Sequence, residues 1–125
     1  RLDGSIRAVL GTMGGDSQPQ IVLQLLARLL HSRQEPGEAI AAARWRFAGT
    51  NPSGFHTWAN ASDLVLQLEG HNTVDTKALK GLGHDIQYLG EYESAFGHAH
   101  LIDVQANVLA GASDPRSLAG GVAGY

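Results

Sequence analysis

The segment Gly11-Thr-Met-Gly-Gly-Asp-Ser-Gln-Pro-Gln20 constrains this chain more than any other, because it sets two adjacent glycines between an apolar strand-like run and a long apolar helix. The strand pattern covers Ile6 to Leu10, and the helix pattern runs from about Ser17 to Ser32. Gly14 and Gly15 are free to adopt positive φ, which turns consecutive backbone N–H groups outward. The start of the helix adds its partial positive charge at the same place. Such a turn is a candidate anion hole. N–H groups so placed stabilise the oxyanion of an acyl-transfer step, where one donor typically carries about 3 kcal/mol of the barrier. A Gly-Gly pair before a helix also serves as a plain tight turn, so the motif on its own does not establish chemistry.

The rest of the chain reads as one α+β unit with no internal repeat or long linker. In Ile21-Val-Leu-Gln-Leu-Leu-Ala-Arg-Leu-Leu30 only Gln24 and Arg28 are polar, and their i, i+4 spacing puts both on one narrow stripe. Most of that helix must therefore be covered. Asp16 or Ser17 is placed to cap it, with Pro19 tolerated in the first turn. Pro36 opens a second, Ala-rich helix through Ala43. Arg44 to Phe47 alternates basic with aromatic, a strand with one apolar face. From Ala48 to Ser62 a loop carries Phe55, His56 and Trp58. Asp63 to Leu68 reads as a strand, and Thr73 as the cap of a helix through Leu82 with Gly83 as its stop. Antiparallel strands are expected at Asp85 to Leu89, His98 to Val104 and Asn107 to Ala110, the last two joined near Gln105-Ala106.

Composition excludes several classes of function. The net charge of −3 comes from nine basic and twelve acidic residues without a basic cluster, which leaves no electrostatic footprint for nucleic acid. There is no cysteine, so disulfides, thiolate nucleophiles and Cys-ligated zinc are ruled out. No apolar run approaches the ~20 residues that span a bilayer.

The far end of the chain adds a second signature. Gly111-Ala-Ser-Asp-Pro-Arg116, followed by Gly120-Gly121-Val-Ala-Gly-Tyr125, resembles the C-terminal signature of the gamma-glutamyltransferase (gamma-glutamyltranspeptidase) family. The resemblance continues through Ala39-Ile-Ala-Ala-Ala-Arg-Trp45, the Gly-x-Gly-His segment at Gly81 to His84, and Phe96-Gly-His-Ala-His100, so it covers nearly the whole chain. It implies an N-terminal nucleophile hydrolase, a four-layer αββα sandwich whose precursor cuts itself to expose a threonine nucleophile. This chain opens instead on Arg1-Leu-Asp-Gly-Ser-Ile, a hairpin turn entering a strand. Residues 1–125 are thus expected to be a single domain, the C-terminal portion of the small subunit, and catalytically incomplete. The implied partners are the large subunit and the upstream part of the same precursor, and the implied substrate is a gamma-glutamyl or other acyl amide.

On that resemblance, Gly14 and Gly15 are the catalytic residues of this chain, as the oxyanion hole. Gly11 and Thr12 shape the approach. Asp16 and Gln18 are candidates for substrate binding, although Asp16 also fits an N-cap. Where many family members have Ser-Arg-Ile after the glycines, this chain has Asp-Ser-Gln-Pro-Gln20, similar to a less characterised bacterial branch. The donor therefore stays open between gamma-glutamyl amides and those of a related glutaryl-cephalosporin acylase or small-acid amidase. A non-catalytic binding domain is the reading from a different class. Arg44 matches a family arginine, with Ala43 in place of the usual proline, and reads as half of a structural ion pair. Asp114 and Arg116 read as a local salt bridge and turn, or as a fork to the large subunit. His98 and His100 share one face of a strand, but spacing fixes no third metal ligand; His71 and His84 are the remaining candidates. The implied chemistry calls for no metal and no cofactor. His31 falls in the last turn of a helix, and His56 with Trp58 either lines a substrate mouth or packs a surface loop.

Overall fold

The computed structural model describes residues 1–49 and 63–124, so the expectations for Phe55, His56, Trp58 and Tyr125 lie outside the described residues. The chain is α+β, with two three-stranded sheets and helices packed against them. Strand β1 (Ala8–Met13) pairs antiparallel with β5 (His98–Val104), which pairs antiparallel with β6 (Leu109–Ser113). Alternation along β1 turns Ala8 and Leu10 to the core and leaves Val9 and Met13 exposed. The strand lies two residues nearer the glycines than the apolar run predicted. Its pairing decides this, since the ladder with β5 runs from Ala8 opposite Asp103 to Met13 opposite His98. Likewise β6 begins after Asn107, because the Gln105 amide donates to Val108 O at 3.0 Å and closes the turn there.

A short 3-10 turn (Gly15–Ser17) leads into α1 (Gln18–Leu26), which ends in a widened turn (Ala27–His31) closed by the Ser32 amide on Ala27 O. Together they fill the helix expected from Ser17 to Ser32. Neither Asp16 nor Ser17 caps it with a side chain. Ile21, Leu25 and Leu29 are buried against Leu10, Ala99 and Leu101, and each such apolar side chain contributes about 1.5–3 kcal/mol by leaving water. Helix α2 (Pro36–Ala41) adds Ala39 and Ile40 to this core and starts at a capping box between Glu35 and Glu38. It stops two residues short of Ala43, where Ala42 turns extended and the carbonyls of Ala42 and Ala43 accept from Arg28.

The second sheet has the order β2 (Trp45–Gly49), β3 (Leu64–Glu69), β4 (Ile86–Leu89). Strand β4 runs parallel to β3, not antiparallel as expected, because helix α3 (Thr76–Gly81) lies in the crossover between them. Asp75, not Thr73, caps α3 by accepting from the amides of Lys77 and Ala78.

Helix α1 covers the outer edge of β2 with two side-chain amides. Gln24 donates to Trp45 O at 2.8 Å and accepts from Trp45 N at 3.1 Å. Gln20 repeats the pattern on Phe47, at 3.1 and 2.7 Å. Each glutamine thus pairs with β2 as a neighbouring strand would, which satisfies an otherwise open edge. Gln24→Leu strips two hydrogen bonds from a part-buried backbone and is expected to destabilise by about 1–3 kcal/mol. Denaturant unfolding measures the loss, and faster hydrogen exchange at the Trp45 amide localises it.

Candidate active site

The glycine turn forms at the junction of β1 and α1. Ser17 N donates to Gly14 O at 3.0 Å and Gln18 N donates to Gly15 O, so the turn's carbonyls are engaged on its helical side. Gly15 sits at φ +53, in the left-handed region, while Gly14 is extended. The Gly15 amide heads the 3-10 turn and has no acceptor among the described residues. Gly97 presses on this turn from the start of β5. At φ +77, a Cβ on Gly97 would stand 2.6 Å from Met13 O and 2.7 Å from Thr12 Oγ1, so only glycine allows this approach.

Around the turn the expected substrate residues separate. Asp16 is half-buried, and its Oδ2 has no hydrogen-bond partner among the described residues. Gln18 is exposed at the head of α1. Gln20 belongs to the β2 clamp. Arg46, which sequence reasoning left without a role, lies beside the same helix head. Its Nη1 reaches Ser17 Oγ at 3.4 Å, its Nε donates to Gln67 Oε1 at 2.7 Å, and its guanidinium lies 5.9 Å from the Phe96 ring.

Behind the turn lies a network of four ionic side chains, all 0% exposed or nearly so: Arg44, Glu69, Asp114 and Arg116. Asp114 Oδ2 meets Arg44 Nη1 at 2.7 Å and accepts from Ala99 N at 2.8 Å, and Oδ1 accepts from Arg116 Nη1 at 2.9 Å. The Arg116 fork closes on Glu69, at 2.6 Å from Nε and 2.5 Å from Nη2. The local salt bridge read for Asp114 and Arg116 is present, and the arginine fork, whose alternative partner was a large subunit, is satisfied by Glu69 inside this chain. Arg44, read as structural, donates to Phe96 O at 2.9 Å and Gly97 O at 3.2 Å. The network thus grips β5 on both sides of His98 and holds Gly97 against the glycine turn.

Electrostatics follow from that burial. Desolvation, then the neighbouring Arg116 charge, push Arg44 down to about 10, only partly offset by Asp114 and Glu69. Burial pushes the Asp114 carboxyl up, but Arg44 and the amides of Arg116 and Ala99 outweigh it and hold it below the usual range. For Arg116 burial acts downward, and its bonds and charge contacts to Glu69 and Asp114 raise it above its ordinary value.

The histidines do not converge. His98 and His100 share the outer face of β5 and border an open cleft with Gly11, Thr12, Met13 and Ser117, and His98 Nε2 lies 3.0 Å from Ser94 Oγ. His71 packs on Tyr92 and His84 on Phe47, while His31 is exposed at the end of the first helix. Among the described residues no group of three His, Cys, Asp or Glu side chains is arranged to hold a metal, and no helix is long and apolar enough to cross a membrane.

Comparison with known families decides what this arrangement belongs to. The gamma-glutamyltranspeptidase family matches the chain over residues 1–125. The chain belongs to that family. It is 39% identical to the oxamate amidohydrolase proenzyme of Klebsiella pneumoniae over 100% of its own length, and 32% identical to the glutathione hydrolase-like YwrD proenzyme of Bacillus subtilis over 90%. It spans 22% and 20% of the lengths of these two relatives. Gamma-glutamyltranspeptidase from Pseudomonas nitroreducens superposes with a TM-score of 0.72 at 22% identity, covering 98% of this chain and 58% of that one. Cephalosporin acylase from Bacillus halodurans superposes at 0.69 with 30% identity, over 86% of this chain and 18% of that one. The α+β architecture expected of the N-terminal nucleophile hydrolase family is therefore the one observed.

Proposed function

We propose that residues 1–125 are the C-terminal portion of a gamma-glutamyltranspeptidase-like small subunit and supply the oxyanion hole of an acyl-transfer site through Gly14 and Gly15. The observation that carries this reading is the glycine turn itself, with left-handed Gly15 at the head of α1 and Gly97 locked against it. In the proposed reaction a threonine hydroxyl from the upstream part of the precursor attacks the carbonyl carbon of an amide. Its proton passes through the threonine's own amino group to the departing amine as the C–N bond breaks. The oxyanion of each tetrahedral intermediate rests on the turn, and water or an amino acid then takes the acyl group from the ester. The large subunit and upstream segment supply the nucleophile and the remaining substrate contacts, and no cofactor takes part.

A gamma-glutamyl donor such as glutathione is the leading candidate. A short-acid amidohydrolase is the second, favoured by 39% identity to a relative named for oxamate and by the Asp16 to Gln20 sequence. The complete protein that carries this chain is expected to turn over at least one of gamma-glutamyl, glutaryl and oxamyl amides, whereas residues 1–125 alone turn over none. Release of product by this chain alone would overturn the division of labour. An inert gamma-glutamyl donor beside an active oxamyl one would move the assignment to the second reading.

A further inference from the structure

Two histidines and the chain's single methionine border one cleft on the outer face of the first sheet. In the register of β1 against β5, Met13 lies opposite His98 and Gly11 opposite His100. Alternation sends Ala99 and Leu101 into the core and turns His98 and His100 the other way, to the side where Met13 is 64% exposed. Cross-strand neighbours have Cβ atoms about 4.5–5.5 Å apart, and residues i and i+2 of a strand lie about 6.5–7 Å apart. Those spacings let both imidazoles and the thioether reach one ion. Gly11 brings no side chain to the place beside His100, and a Cβ there would meet nothing within 4 Å, so the middle of the group stays open.

The donor set selects the ion. Spacing along β5 supplies two imidazoles, and the fold adds a sulfur as the third donor where no carboxylate or further histidine joins them among the described residues. In a chain without cysteine, Met13 is the single soft ligand. Thioether sulfur favours Cu⁺, and imidazole suits the same metal, whereas Zn²⁺ sites are built from thiolate, imidazole and carboxylate. Ser94 adds an outer contact, with its Oγ 3.0 Å from His98 Nε2. A metal-bound imidazole ordinarily gives its other ring N–H to such a partner, which fixes the tautomer and the ring's orientation.

We propose that Met13, His98 and His100 form a Cu⁺ site, bound through the Met13 sulfur, His98 Nδ1 and one ring nitrogen of His100, with Ser94 Oγ accepting from His98 Nε2–H as a positioning contact. The inference does not rest on the acyl-transfer reading, and an enzyme inert toward every amide leaves it standing.

The test titrates the complete protein anaerobically with Cu⁺ against a chromogenic Cu⁺ chelator and records X-ray absorption at the copper edge. Wild type is expected to hold one equivalent that His98→Gln and His100→Gln each weaken by about 100-fold or more, beyond the 10- to 100-fold typical of losing an outer contact. Ser94→Ala falls within that smaller range. Met13→Leu keeps the volume of an exposed side chain, so it is expected to fold, to weaken Cu⁺ roughly tenfold or more, to remove sulfur from the copper edge, and to leave Zn²⁺ affinity where it was. If His98→Gln fails to fold, His100→Gln, on an exposed side chain, carries the comparison. Unchanged Cu⁺ binding in the histidine variants, or a wild-type copper edge without sulfur, overturns the site. Zn²⁺ held by wild type as tightly as Cu⁺ overturns the part assigned to the thioether, and the proposal with it.

Discussion

Asp114→Ala is expected to destabilise the protein by about 3–5 kcal/mol, because it leaves a buried arginine without its carboxylate. The size follows from what the carboxylate holds: Arg44, Arg116 and the amides of Ala99 and Arg116 all converge on it. Against a total stability of about 5–15 kcal/mol, that loss removes a large share of the folded margin. Pairing it with Arg44→Met does not restore the native arrangement. Methionine removes the stranded charge but also abandons the carbonyls of Ile40, Phe96 and Gly97, which Arg44 satisfies. The double variant is therefore expected to regain part of the stability and little of the activity, since Gly97 is no longer held against the glycine turn. Calorimetric melting of the assembled protein and turnover by the same samples separate the two effects. The pH dependence has a definite sign. The Asp114 carboxyl has a folded value below its ordinary 3.8, so its contribution is present above that value and lost as pH falls through the folded one. Wild type should lose stability below about pH 4 more steeply than Asp114→Asn, which no longer carries the titrating group.

The glycine turn, the long apolar helix and the histidine-bearing strand β5 were legible in the sequence because each is written locally, in glycine placement or in periodicity. The ion network was legible by halves. Arg44, Asp114 and Arg116 stood out, yet Glu69 did not, since a charge at the end of an apolar strand looks like a strand terminus until Arg116 is folded onto it. The glutamines show a similar limit. Gln24 registered as part of a polar stripe and Gln20 as a departure near the substrate, whereas both pair with the backbone of β2. No spacing within α1 reveals a strand edge 21 residues away from Gln24. The parallel pairing of β3 with β4 was missed for the opposite reason. The helix between them is written in the sequence, but strand direction depends on how its crossover packs, which no local pattern encodes. At Arg44 and Arg46 an alternating basic and aromatic strand gives no hint of which basic residue finds a carboxylate.

Gly15→Ala is expected to lower kcat by about 10²- to 10³-fold, the loss typical of one misdirected oxyanion donor. Space is not the obstacle, since a Cβ at Gly15 meets nothing within 4 Å. The obstacle is φ +53, which costs an L-residue about 1–2 kcal/mol and drives the turn toward a geometry that aims its amides elsewhere. Gly15→Asn tolerates the left-handed region better and should retain more activity. Gly14→Ala acts by a different route, because its Cβ would stand 3.1 Å from Ile21 Cδ1 and 3.5 Å from Gly97 Cα. The Ile21 side chain must give by a few tenths of an ångström, so the variant is expected to lower the melting temperature slightly and kcat less than Gly15→Ala does. In the proposed role the turn binds the charge that develops on the carbonyl oxygen more strongly than the ground-state carbonyl, so KM is expected to change little. Donor identity is then the sharpest control. A defect at Gly15 falls equally on oxamyl, glutaryl, gamma-glutamyl and butyryl amides, all of which present the same oxygen. Should Gly15→Ala keep wild-type kcat on every donor, the oxyanion would have to rest somewhere other than this turn.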